Sequence, residues 1–213
     1  MELSHARINF LGDSITYGCG ADSPEKGFVS LIAQETGADC RNYGVIGTRI
    51  ARQKQPSECG AFDEDFCQRA EKMDVCADAV IVFGGTNDFG HGDAPIGSDA
   101  DRTPDTFQGA LHTLFSLLMS LYPGKPILII TPLHRLSENN RRKDNGCILL
   151  DYVQMIRKAA EEYSLPILDL YASAGLQPRV PAIQQTLMPD GLHPGNLGHQ
   201  VIAHRIIKAL ENL

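Results

Sequence analysis

Two segments constrain the chain most: Ala79-Val80-Ile81-Val82-Phe83 and Pro126-Ile127-Leu128-Ile129-Ile130-Thr131. Neither alternates apolar with polar residues. A strand that is apolar at every position must be covered on both faces, which happens in parallel sheets flanked by helices. The segments between and around them have the complementary pattern. Residues 104–121 place Phe107, Leu111, Leu114, Phe115 and Leu118 at helical spacing, with Thr103 or Asp101 as cap and Pro123-Gly124 as stop. Residues 148–163 do the same through Leu149, Tyr152, Val153, Ile156 and Ala160, and residues 27–36 through Phe28, Leu31 and Ile32. Strands are also expected at 7–11, 40–45 and 165–170, and a closing helix at 197–210. Strand and helix alternate throughout, so the expectation is a three-layer α/β/α sandwich with helices on both faces of one parallel sheet.

The chain has 213 residues, 43% of them hydrophobic and 21% charged, and shows no repeat or linker; one domain over residues 1–213 follows. The formal net charge of -7 and the lack of a long Lys/Arg run argue against nucleic acid as a partner. Arg141-Arg142-Lys143 reads as a solvated loop. No segment is long and apolar enough to span a bilayer. The first residues lack a basic start followed by an apolar core, so the cytoplasm is the expected compartment unless a leader has been removed. Cys19, Cys40, Cys59, Cys67, Cys76 and Cys147 form no Cys-x-x-Cys pair and are expected to be reduced, mostly buried thiols. A homo-oligomer is left open.

The parallel sheet converts motifs into geometry. The carboxyl ends of its strands share one edge, where open α/β sheets hold their ligands. Ser14 follows the first expected strand, Gly47 the second and Asn87 the third. Asp190 and His193 precede the last helix, on a loop that can fold over the same edge. Taken singly, each segment is also ordinary turn chemistry: Gly12-Asp13-Ser14 and Asp190-Gly191 as turns, Asn42 as a cap, Gly84-Gly85 as a chain reversal. Taken together they supply the parts of serine hydrolysis. A serine hydroxyl needs a base, and a free imidazole, with a pKa near ~6.5, suits proton transfer at neutral pH.

In this order the segments resemble the SGNH hydrolases, the GDSL-type esterases and lipases. Gly12-Asp13-Ser14, Asn42 to Gly47, Gly85-Thr86-Asn87-Asp88 and Asp190-Gly191-Leu192-His193 match that family's first, second, third and fifth blocks. The resemblance implies a flavodoxin-like strand order and a triad of Ser14, His193 and Asp190. It also implies an oxyanion hole from the backbone amides of Ser14 and Gly47 and the side-chain amide of Asn87. No cofactor and no metal are expected, since His91, His112, His134, His199 and His204 lack ligand spacing. His199 and His204 are placed at the solvent or core boundary of the last helix. Loops 89–102 and 133–145 leave the same edge and should shape specificity. Both are polar, which favours a small-molecule ester with a short acyl group, an O-acetylated carbohydrate among the options. Acyl transfer, thioester hydrolysis or lysophospholipid hydrolysis would use the same triad. A catalytically silent binding module of the same fold is the alternative from another class.

Overall fold

The computed structural model describes all 213 residues. Five strands form one parallel sheet: β1 (Arg7–Gly12), β2 (Asp39–Gly44), β3 (Ala79–Phe83), β4 (Ile127–Ile130) and β5 (Ile167–Leu168). Their spatial order is β2-β1-β3-β4-β5, the flavodoxin-like order. Nine helices complete the fold: α1 (Ser14–Tyr17), α2 (Phe28–Thr36), α3 (Phe66–Ala70), α4 (Thr86–His91), α5 (Phe107–Leu121), α6 (Leu149–Glu162), α7 (Leu170–Ser173), α8 (Pro181–Leu187) and α9 (Asn196–Glu211). None is long and apolar enough to cross a membrane.

The all-apolar strands feed two cores. Val80, Val82, Ile127 and Ile129 face a cluster built with α3, α5 and α6. Ile81, Phe83, Leu128 and Ile130 face a second cluster built with α2 and α9. This period-two division is what a strand buried on both faces must do. In the second cluster Phe28 is fully buried and packs on Phe10, Phe83 and the ring of His199.

Several expected boundaries move. The helix expected from residue 104 begins at Phe107, capped by Thr106, whose side chain accepts the Gly109 N–H. Asp101 is not the cap; it accepts from Ser98 N and Thr106 Oγ1 and shapes the preceding turn. The strand expected at 165–170 shrinks to two residues. Asp169 caps α7 instead, bound by Thr131 Oγ1 and Ala172 N and paired with Arg157 at 2.7 Å. His199 is wholly buried rather than at a boundary. All six cysteines are free, but only Cys67 is buried; Cys59 and Cys76 are exposed, because both lie on surface loops of the 45–78 segment.

Since Phe28 seals the second core at the start of α2, Phe28→Ala should lower the unfolding free energy by roughly 3–5 kcal/mol. Urea denaturation measures this. A loss below about 1 kcal/mol would contradict the packing described.

Candidate active site

In the order β2-β1-β3 the chain reverses its direction of winding between β1 and β3, and crevices for ligands open at such a point. Ser14 and Asn87 lie on the two sides of it. Asp13 caps the single-turn helix α1 by accepting the Ile15 N–H at 3.0 Å. The next residue, Ser14, therefore sits at the first helical position, where its N–H has no intrahelical acceptor. Asn87 occupies the corresponding first turn of α4.

Ser14 Oγ–H donates to His193 Nε2 at 3.0 Å, across 179 residues of sequence. His193 Nδ1–H donates to Asp190 Oδ2 at 2.7 Å. The other oxygen of Asp190 accepts the N–H groups of Leu192 at 2.8 Å and His193 at 2.6 Å. Partial burial pushes the Asp190 carboxyl up, but the His193 and backbone donors outweigh it and leave the pKa lowered. The turn that permits this needs Gly191 at φ 76°, and a Cβ there would also collide with Leu136, which packs over it.

The loop after β2 brings in the remaining donors. Gly47 has φ 75°, and its N–H finds no protein acceptor. Asn87 Nδ2 donates one proton to Thr48 O at 3.0 Å, which aims the amide and leaves its second proton unused. The structure joins Ser14, His193 and Asp190 by direct hydrogen bonds and ties Asn87 to Thr48, the residue after Gly47. A hydroxyl bound to an imidazole, with an imidazole-orienting carboxylate and unused donors nearby, has the parts needed for acyl transfer through a serine ester.

Residues without a role in the sequence reading hold this loop. Asp88, buried, accepts Ile50 N at 3.0 Å and Ala51 N at 2.9 Å through its two oxygens. Arg69, also buried, donates to Thr48 Oγ1 at 2.7 Å, to Gly12 O at 2.9 Å and to Tyr43 O. Arg49 Nη1 donates to Gly47 O at 2.9 Å. His199 accepts the Phe28 N–H and donates to Cys19 O at 3.1 Å, bracing the turn after α1; burial lowers its pKa. Asp88 lay within a quoted motif, so it was the easiest of these to find. Arg69 sits on a five-residue helix with no readable period.

Loop 133–145 is anchored at several points, while Arg141 and Lys143 stay exposed as expected. Glu138, fully buried, binds His134 Nδ1 at 2.5 Å and pairs with Arg179. Leu136 N donates to Gly191 O at 3.0 Å, joining this loop to the one carrying Asp190 and His193. Arg142 is not a solvent-facing member of a basic run. Its guanidinium donates to the carbonyls of Asp88, Phe89 and Gly92, because α4 ends there and its last carbonyls lack helical partners. Asp99 of loop 89–102 offers, with His112 and Glu162, ligand atoms within 4.8 Å of one another. Lys158 at 2.7 Å and Arg102 at 3.4 Å already neutralise the two carboxylates.

Burial raises the Asp13 carboxyl to about 6 from 3.8, tempered by the Ile15 N–H. A folded pKa above the unfolded one means protonation favours the fold; that contribution is complete below the unfolded value and is lost as pH rises through about 6. Asp13→Asn keeps the acceptor for Ile15 N and removes the ionisation. Thermal melts from pH 4 to 8 should fall less steeply for this variant than for the parent, and equal slopes would contradict the assignment.

A sequence model described as the GDSL-like Lipase/Acylhydrolase family matches residues 10–201. No curated protein sequence matches the chain. Among solved structures, a Lactobacillus plantarum protein is 31% identical, with a TM-score of 0.83, over 99% of this chain and 98% of its own. A lipase/acylhydrolase from Enterococcus faecalis shares the fold at 23% identity and TM-score 0.68, covering 97% of this chain and 96% of its own. An acetyl xylan esterase shares it at 20% identity and TM-score 0.64, over 95% of this chain and 98% of its own.

Proposed function

Because the chain belongs to the GDSL-like lipase/acylhydrolase family, we propose that it is a serine esterase, one domain over residues 1–213, that hydrolyses short-chain carboxylic esters through an acyl-enzyme on Ser14. The observation that carries this reading is the unbroken line from Asp190 through His193 to Ser14, with bonds of 2.7 and 3.0 Å.

His193 Nε2 takes the Ser14 proton as Oγ attacks the ester carbonyl. Asp190 holds the ring in the tautomer that leaves Nε2 free to accept, and it stabilises the imidazolium that forms. The negative charge passing to the carbonyl oxygen is received by the N–H groups of Ser14 and Gly47 and by the unused proton of Asn87. Each such donor contributes on the order of 3 kcal/mol in the transition state. Imidazolium then protonates the departing alcohol. Water, deprotonated by the same nitrogen, attacks the acyl group and releases Ser14. The acetyl xylan esterase of similar fold agrees with acetyl-sized acyl groups on a polar alcohol, as do the polar loops 89–102 and 133–145.

Asn87→Ala should lower kcat by roughly 10²–10³ with a smaller change in KM, because the lost donor acts on the developing oxyanion. Steady-state kinetics on p-nitrophenyl acetate test it; an effect confined to KM would make Asn87 a ground-state binding residue.

In a p-nitrophenyl ester series, kcat/KM should peak between acetate and butyrate. Each buried methylene is worth about 0.8 kcal/mol, so a long-chain optimum needs a large apolar trough. A maximum at palmitate would turn the reading toward a lipase or lysophospholipase.

A further inference from the structure

Beside the proposed oxyanion site lies a cleft of about 530 Å³ between the end of α4 and the 133–145 loop, large enough for a small ligand. It starts two residues beyond Asn87, at Phe89, Gly90 and His91 of α4. Of its 12 lining residues only Phe89 is hydrophobic. Four are cationic: Arg135, Arg141, Arg142 and Lys143. The two carboxylates in the lining are already committed. Asp93 accepts the N–H groups of Lys54 and Gln55, and Asp144 pairs with Arg142 at 2.8 Å. Arg135, Arg141 and Lys143 have no carboxylate within ion-pair distance, although acidic residues outnumber basic ones in the chain by 26 to 19.

Arg135 stands between this cleft and the triad. Nε donates to Ser137 Oγ, Nη1 to the carbonyl and hydroxyl oxygens of Thr86, and the guanidinium lies over the Phe89 ring at 5.5 Å. These contacts fix the planar fork and leave Nη2 without a protein acceptor. Asp13 and Asp190 both act on its charge, which places it within electrostatic reach of the reacting centre. A second arginine adds to the field. Arg49 is 5% exposed, pairs with no carboxylate, and has a buried Nε with no partner at all. Buried polar groups are normally satisfied, so an unpartnered guanidinium nitrogen calls for an explanation. Desolvation, with the charges of Arg49, Arg135 and Arg142, lowers the pKa of His91.

We propose that this cleft receives an anionic group, a carboxylate or a phosphate, carried by the ester. The substrate would then be a charged ester rather than a neutral one. A fixed guanidinium with a free edge suits either oxyanion, and the uncompensated cations around it would draw the substrate in before Ser14 is reached. This rests on the serine esterase reading for the reaction, but the cleft binds its anion without it.

Two measurements separate the proposals. The first compares matched esters on the parent enzyme: 3-acetoxybenzoate against 3-acetoxybenzamide, 3-acetoxyphenyl phosphate against 3-acetoxyphenyl methyl ether, and the monophenyl ester of glutaric acid against phenyl 4-carbamoylbutyrate. The charged member of at least one pair should show a kcat/KM at least about tenfold higher, and that preference should shrink with added salt. It should also fall several-fold in Arg135→Gln and in the rim double variant Arg141→Gln/Lys143→Gln, whose exposed positions spare the fold. The pair that responds tells whether acyl or alcohol carries the anion and whether carboxylate or phosphate is preferred. The second measurement is calorimetric binding of benzoate, phenylphosphonate and benzamide to Ser14→Ala protein, which needs no turnover. One of the anions should bind, benzamide should not, and the rim double variant should weaken the anion. Anion binding without any ester turnover would sink the esterase reading alone. Turnover with charged-to-neutral ratios near one, and no binding preference for the anions over benzamide, would overturn the anionic cleft.

Discussion

The site depends on a buried carboxylate gripping a loop. Asp88 takes the N–H groups of Ile50 and Ala51 with its two oxygens at 3.0 and 2.9 Å, fixing the segment after β2 against the start of α4. With that anchor made, Asn87 reaches Thr48 O, Arg69 ties Thr48 to the ends of β1 and β2, and the Gly47 N–H is left without a protein acceptor. In the proposed reaction the Gly47 and Asn87 donors meet a transient negative charge, and such donors work best when they need no reorganisation. Here the rigidity comes from polar groups withdrawn from water. Burial raises the Asp88 carboxyl to about 6, the backbone donors only partly opposing it. Like that of Asp13, its protonated form favours the fold, and the contribution fades as pH rises through about 6. The loop that has to be most fixed is thus held by a group that resists ionising.

The other half of the site is built differently. Asp190 keeps more than half of its side-chain surface exposed, so its hold on His193 comes from geometry rather than from a low dielectric. Three donors converge on the one carboxylate within a four-residue turn. Leu136 packs over that turn, so loop 133–145 links the imidazole to the cationic cleft. That loop, from which specificity was expected to come, is therefore part of the framework as well as the rim.

The fold was legible where the physics is local. Runs such as residues 79–83 and 127–130 are apolar at every position, which a doubly covered strand requires, and long amphipathic helices announce themselves by spacing. β5 was misjudged because Asp169 and Thr131 form a side-chain bond that starts α7, an event set by tertiary contact. Ser14, Gly47 and Asn87 could be singled out because they stand in short motifs just after strands, and Asp190 and His193 because they share one motif before the last helix. Arg69, Arg135 and His199 could not, since each bonds partners tens of residues away; Arg49 could not either, because nothing in the sequence pattern marks its bond to Gly47 O. Arg142 misled for the same reason: a basic run looks solvated until the helix end it serves is in place.

The central claim is that Ser14 is made nucleophilic by His193. Its most direct test is peptide mapping of the folded protein after treatment with a fluorophosphonate probe. The account predicts one adduct per chain, on the peptide containing Ser14, and none in Ser14→Ala or His193→Ala protein. An adduct on any other residue, or undiminished labelling of Ser14 without the imidazole, would contradict it.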